Sequence, residues 1–256
     1  MPLNRREFLY LAVAGAAAGV LASARAGRAA DGRKIKAVAF DAFPVFDPRP
    51  VFALAEQLFP GKGVELSNAW RTRQFEYQWL RALSQQYADF RQATDDSLVF
   101  AADLLKLDLT PEKHKRLMDA YLELKAWPDV APALASLRSA GLRLALLSNA
   151  TPKILETGIT NSGLGDAFEH VLSTDTLRTY KPDPRAYRMA IDAFGLEKEE
   201  ILYVAFAGWD AAGARAFGYT TFWVNRSSLP AERLGVSADG AGAGLDDLVR
   251  FADALK

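Results

Sequence analysis

A carboxylate that closes a buried apolar run can serve as a nucleophile or a proton carrier, and Asp41 closes such a run at 35–40. In an open α/β sheet this placement puts the group at the carboxyl edge, where such folds bind ligands. Later segments carry matching chemistry. Ser148-Asn149 follows the run 142–147, Lys181 lies in Tyr180-Lys181-Pro182-Asp183, and Asp210 lies in Gly208-Trp209-Asp210. A hydroxyl and an amide can hold an anion with the help of backbone N–H groups. A lysine near two carboxylates keeps a nucleophilic one ionised. Each residue alone has an ordinary role as a cap, a turn residue or a solvated charge. Their succession at the ends of strands favours one shared site.

Other chemistries are excluded by composition. The chain has no cysteine, so disulfides, thiolate metal sites and cysteine nucleophiles are ruled out. His114 and His170 are the two histidines, too few for a His-rich metal site. Both read as surface or packing residues. Lysine plus arginine (31) equals aspartate plus glutamate (31), so no net charge draws the chain to nucleic acid or acidic lipid.

The elements that must position these groups follow from the apolar pattern. A chain of 256 residues suffices for one α/β domain with an insertion. Runs at 35–40, 142–147, 170–172, 201–205 and 220–224 predict strands. Helical patterns at 130–140, 152–162, 184–194 and 211–217 alternate with the later runs. Such alternation predicts a parallel sheet covered on both faces. Gly141, Gly163, Gly195 and Gly218 follow these patterns as C-terminal caps do. The Gly/Ala-rich stretch 238–244 reads as a loop.

Between the first two strands the pattern is helical only, at 50–58, 64–90, 94–107 and 111–124. An all-helical insert there reads as a cap over the carboxyl edge of the sheet. The expected fold is therefore α/β, a Rossmann-like parallel-sheet core with a helical cap domain inserted after the first strand. The core is expected over 35–48 and 126–256 and the cap over 49–125.

The first residues are read apart from the fold. Asn4-Arg5-Arg6-Glu7-Phe8-Leu9, an apolar stretch at 10–22 and Ala24-Arg25-Ala26 resemble a twin-arginine signal peptide over 1–26. The stretch is too short and too weakly hydrophobic for a membrane span. The expectation is export in folded form to the periplasm, with a mature chain beginning near Gly27 and only transient membrane contact. An uncleaved anchor is the alternative.

Two longer strings carry a family resemblance. They are Trp70-Arg71-Thr72-Arg73-Gln74-Phe75-Glu76-Tyr77-Gln78-Trp79-Leu80-Arg81, and Trp209-Asp210-Ala211-Ala212-Gly213-Ala214-Arg215 followed by Trp223-Val224-Asn225-Arg226. With the strand-end residues they resemble the haloacid dehalogenase superfamily, specifically the L-2-haloacid dehalogenases, over about 35–253. The resemblance implies that Asp41 displaces halide from the α-carbon of a short L-2-haloacid and forms an ester. Water then hydrolyses that ester to a 2-hydroxyacid of inverted configuration. It implies further that Ser148, Asn149 and the amides of Ala42 and Phe43 hold the substrate carboxylate. Arg71 would assist the departing halide, and Phe43, Phe75, Phe90 and Trp209 would wall the site. Lys181 and Asp210 would arrange Asp41 and the hydrolytic water, with Tyr187 supporting them. Neither a metal nor a cofactor is implied. The partner would be a small 2-haloacid or related carboxylate, and a homodimer formed through the cap is compatible with the resemblance.

Departures from the family pattern sharpen the chemistry. Phosphatases of the superfamily carry a second aspartate two positions after the nucleophile, as general acid for an alcohol. Here that position is Phe43, and halide needs no proton to leave. Where the family has Gly-Thr after the first motif, this chain has Pro44-Val45, so a hydroxyl that orients the nucleophile is missing. Where it has Ser-Ser-Asn-Ala before Trp-Asp, this chain has Ala205-Phe206-Ala207-Gly208. A lost buried donor costs about 1–3 kcal/mol, and about 1.4 kcal/mol is tenfold in rate. The expectation is a weak hydrolase, or else a non-catalytic or altered-specificity carboxylate-binding protein of the same fold.

Overall fold

The computed structural model describes residues 34–255. The export signal expected over 1–26 lies outside the described residues. Six parallel strands form the sheet: β1 (Ala37–Phe40), β2 (Arg143–Ser148), β3 (His170–Ser173), β4 (Ile201–Ala205), β5 (Thr220–Val224) and β6 (Gly240–Gly242). Their spatial order is β3-β2-β1-β4-β5-β6. The chain thus builds outward from β1 in one direction, then crosses back and builds outward from β4 in the other. The switch falls between β1 and β4, and a crevice opens there at their carboxyl ends.

β1 explains the two-sided core. All four of its residues are buried, and successive side chains point to opposite faces. Val38 and Phe40 join the layer beneath α6 (Val130–Ser139), α7 (Pro152–Asn161) and α10 (Leu245–Asp253). Ala37 and Ala39 join the layer beneath α8 (Pro184–Phe194) and α9 (Gly208–Phe217). The predicted parallel sheet with helices on both faces is present.

The one-turn α1 (Ala42–Val45) follows β1 directly. The cap then comprises α2 (Arg49–Leu58), α3 (Gly63–Leu83), α4 (Phe90–Leu104) and α5 (Pro111–Asp119), all inserted between β1 and β2. Trp70 of α3 donates its indole N–H to the Thr94 carbonyl of α4 at 2.8 Å, fixing the two longest cap helices together. The start of α5 uses its expected signals: Thr110 caps it by accepting from the Lys113 N–H at 3.3 Å, and Pro111 needs no donor there.

Two elements differ from the sequence pattern. The pattern at 64–90 is continuous, but α3 stops at Leu83, and Gln85 takes a left-handed φ of 60°. The chain restarts at Asp89, whose carboxylate accepts from the Gln92 N–H at 2.8 Å and caps α4. Apolar spacing carries through this break because the two helices share one buried interface. The stretch expected as a loop at 238–244 contains edge strand β6. A Cβ on Gly240 would meet the Phe251 ring at 2.6 Å, and one on Gly242 would meet Asp247 at 2.2 Å. Glycine permits that close approach, which residue-type preferences for strands do not register.

Candidate active site

β1 ends at Phe40, and Asp41 stands at the crevice with its N–H bonded to the Val204 carbonyl of β4 at 2.8 Å. Asp41 also caps α1, its Oδ2 accepting from the Phe43 N–H at 3.3 Å. Lys181 reaches it from the turn before α8. That turn is held by Asp183, which caps α8 through the Arg185 N–H at 2.9 Å, with Pro184 in the first turn. Asp210 lies in the first turn of α9, just beyond β4. Three sequence-predicted groups therefore converge from three separate segments.

Lys181 is the hub. Its ammonium donates to Asp41 Oδ1 at 2.7 Å, to Asp210 Oδ2 at 2.8 Å and to the Tyr203 hydroxyl at 2.7 Å. The Leu147 carbonyl lies farther off, at 3.3 Å. Burial alone would lower the lysine pKa. The two carboxylates reverse this and hold it above its ordinary value. Burial pushes the Asp210 carboxyl up and the Asp41 charge adds to that, while Lys181 works against both. Tyr187 donates to Asp210 Oδ1 at 2.8 Å, and Tyr203 donates to Oδ2 at 3.0 Å. Burial, then the Asp210 charge, pushes both phenols well above their ordinary value, so both hydroxyls remain donors. The cation between the two carboxylates is thus an ammonium carried by the chain itself.

Ser148 and Asn149 sit at the end of β2, both buried. Ser148 accepts from the Ala150 N–H at 3.1 Å through its hydroxyl oxygen, leaving its own proton available. Asn149 is more committed. Its carbonyl oxygen accepts from the Lys181 N–H at 2.9 Å and from the Thr174 hydroxyl at 3.3 Å. Its amide nitrogen donates to Gln78 Oε1 of the cap at 3.2 Å. Gln78 is fully buried, and its own amide nitrogen has no hydrogen-bond partner among the described residues. Trp79, the next cap residue, donates its indole N–H to the Lys181 carbonyl at 3.1 Å.

A cavity of about 340 Å³ adjoins this cluster, with Phe43, Arg71, Phe75, Trp79, Phe206 and Trp209 among its lining residues. Phe75, Trp79 and Trp209 form a cluster with ring centroids 5.3–5.8 Å apart. Phe43 packs on Phe206 at 6.1 Å. Arg71 is exposed and makes no salt bridge among the described residues, while Glu76, paired with Arg73 at 2.8 Å, and Glu232 line the same cavity. Trp79 and Trp209 also line a wider groove of about 1140 Å³.

Phe90 departs from its expected place. It is buried one layer back, edge-on against Tyr121 at 5.8 Å, and it is Tyr121 that borders the cavity. Tyr203, Gln78, Trp79 and Phe206 escaped the sequence reading. A signal existed for Tyr203: a buried tyrosine in a core strand must find a partner for its hydroxyl. Val45 is buried and apolar as its type requires, and Ala205 and Ala207 offer no donor side chain. His114 pairs with Asp95 at 2.8 Å and His170 packs against Phe194, both apart from the site.

Comparison with known proteins places this geometry in context. A family model described as haloacid dehalogenase-like hydrolase matches residues 16–218. The (S)-2-haloacid dehalogenase of Pseudomonas sp. (strain YL) is 43% identical over 206 residues, covering 80% of this chain and 89% of its own. The crystal structure of the L-2-haloacid dehalogenase RSc1362 superposes with a TM-score of 0.84 at 44% identity, covering 86% of this chain and 99% of that one. The L-2-haloacid dehalogenase from Xanthobacter autotrophicus with chloropropionic acid covalently bound gives a TM-score of 0.77 at 32% identity, covering 87% and 100%.

Proposed function

This chain belongs to the haloacid dehalogenase-like hydrolases and, among them, to the 2-haloacid dehalogenases; from that premise we propose that it hydrolyses short L-2-haloacids to 2-hydroxyacids through an ester on Asp41. The observation that carries the reading is the Asp41 carboxylate at the β1–β4 crevice, held through one oxygen by Lys181 at 2.7 Å.

The two oxygens of Asp41 have different duties. Oδ1 is bonded to Lys181, whereas Oδ2 takes one long amide bond at 3.3 Å. Oδ2 is the better nucleophile, because less of its charge is already neutralised. It attacks the α-carbon as the carbon–halogen bond breaks, and halide leaves as an anion toward Arg71. Oδ1 is then the ester carbonyl oxygen, and the ammonium already in place stabilises negative charge when water attacks that carbon. Collapse releases the 2-hydroxyacid, regenerates the carboxylate and frees one proton. The Ser148 hydroxyl and the unpaired Gln78 amide supply donors for the substrate carboxylate, and the aromatic walls keep competing water away.

Purified protein should release chloride from L-2-chloropropionate, and Asp41→Asn should release none. No halide from any short haloacid would sink the reading.

A second reading, a slow enzyme or a carboxylate-binding protein without turnover, is favoured by buried Val45 and by Ala205 and Ala207, none of which offers a side-chain donor. Calorimetry with short 2-hydroxy and 2-halo acids tests it, and multiple turnovers would eliminate it. Intact mass after incubation would reveal a trapped ester.

The paired Arg5-Arg6 before an apolar stretch supports export to the periplasm. Cell fractionation, with Arg5→Lys and Arg6→Lys expected to retain the protein in the cytoplasm, tests that. The family resemblance also supports a homodimer, which sedimentation of the mature chain would reveal.

A further inference from the structure

We propose that Tyr203 is a positioning residue of this site, its hydroxyl supplying the third acceptor that locks the Lys181 ammonium between Asp41 and Asp210. An ammonium has three hydrogens and no lone pair, so it is fixed in direction only when three acceptors surround it. Two are the carboxylates. The third place belongs to the Tyr203 hydroxyl at 2.7 Å, with the Leu147 carbonyl at 3.3 Å as the remaining, weaker neighbour. The same hydroxyl turns its own proton to Asp210 Oδ2 at 3.0 Å. It therefore accepts from the cation and donates to the anion, tying together the two groups that flank the nucleophile.

The β4 strand makes this possible. Tyr203 and Ala205 are two residues apart and share the buried layer on one sheet face. Ala205 cannot hydrogen-bond through its side chain. Tyr203 projects from the same face with a longer reach. Its ring is held by stacking on Tyr219 (5.7 Å, 9°) and by the edge of Tyr187 at 5.4 Å. It is fully buried, so no water competes for its hydroxyl. Without the oxygen, one ammonium hydrogen is left to the Leu147 carbonyl, and the cation tilts toward the strand and away from Asp41 Oδ1.

Tyr203→Phe tests this with two readouts. Lys181 is the buried lysine among the described residues, so its ammonium hydrogens should give a slowly exchanging lysine signal in ¹⁵N NMR at neutral pH. In Tyr203→Phe that exchange should quicken at least about tenfold, as expected when a buried donor loses a partner. The catalytic arm rests on the dehalogenase reading. There kcat should fall about tenfold, about 1.4 kcal/mol, with KM within about twofold. The acid limb of the pH profile should move upward, because Asp210 loses a donor. Adding Ala205→Ser, which restores a hydroxyl on that strand face, should recover a substantial part of the loss. Unchanged ammonium exchange overturns the proposal whatever the kinetics. So does a kcat within twofold of the parent with an unmoved pH profile. An inactive parent protein with faster exchange in the variant would refute the dehalogenase reading and leave the positioning role standing.

Discussion

The two ends of the site are built to opposite standards. Asp210 is 1% exposed and its carboxylate takes side-chain hydrogen bonds from Lys181, Tyr187 and Tyr203. Asp41 is 8% exposed, and its carboxylate takes one short bond from Lys181 and one long bond from a backbone amide. One carboxylate is saturated and the other is left hungry. A saturated, dry carboxylate makes a rigid support and a poor nucleophile. An under-bonded one at the carboxyl end of β1 keeps an oxygen for attack, with Lys181 fixing the other at 2.7 Å.

The contrast can be broken most severely at its reactive end. Asp41→Asn should lower halide release by at least about a thousandfold, roughly 4 kcal/mol at the transition state, with little change in melting temperature. Retained turnover would mean that Asp41 is not the nucleophile. Removing the shared cation attacks both ends. Lys181→Met leaves two buried carboxylates unpaired, and denaturant unfolding should show a loss of about 3–5 kcal/mol. The same lysine sets an alkaline limit. Its pKa is raised on folding above the ordinary 10.5, so its stabilisation is complete below that value. It is lost as pH rises through the higher folded-state value. Melting curves of the parent should therefore decline more steeply than those of Lys181→Met in strongly alkaline buffer.

Smaller changes sharpen the contrast. Val45→Thr is nearly isosteric and offers Asp41 a hydroxyl donor. It should alter kcat by about fivefold, about 1 kcal/mol of transition-state energy. A rise would mean that Oδ2 is too loosely held, and a fall would mean that its poverty of hydrogen bonds is useful. Gln78→Leu should act on substrate rather than on Asp41, raising KM about threefold, as expected for the loss of one neutral hydrogen bond. An unchanged KM would assign the amide to holding Asn149 alone.

Asp41, Lys181 and Asp210 were legible in the sequence because each follows or punctuates an element whose pattern is plain. The parallel sheet and the cap were legible for the same reason, since apolar runs and helical spacing are local signals. What escaped was chemistry hidden in packing. Tyr203 lies inside an apolar strand and reads as core until its hydroxyl is traced to Lys181. Gln78 sits within a long helical pattern, and its contact is with Asn149, 71 positions away in the chain. Phe90 was expected in the wall from the family resemblance, but it packs edge-on against Tyr121, which takes its place at the cavity. Strand β6 escaped because glycines give no side-chain pattern, although their lack of a Cβ is what admits the Phe251 ring.

The bonds from Gln78 and Trp79 act together. Both run from one turn of a cap helix to the very residues that shape the floor, Asn149 and the Lys181 backbone. The two bonds lie on adjacent residues of one helix, so they hold or fail as a pair. A movement of that helix away from the core would therefore free the Asn149 amide and the Lys181 carbonyl together.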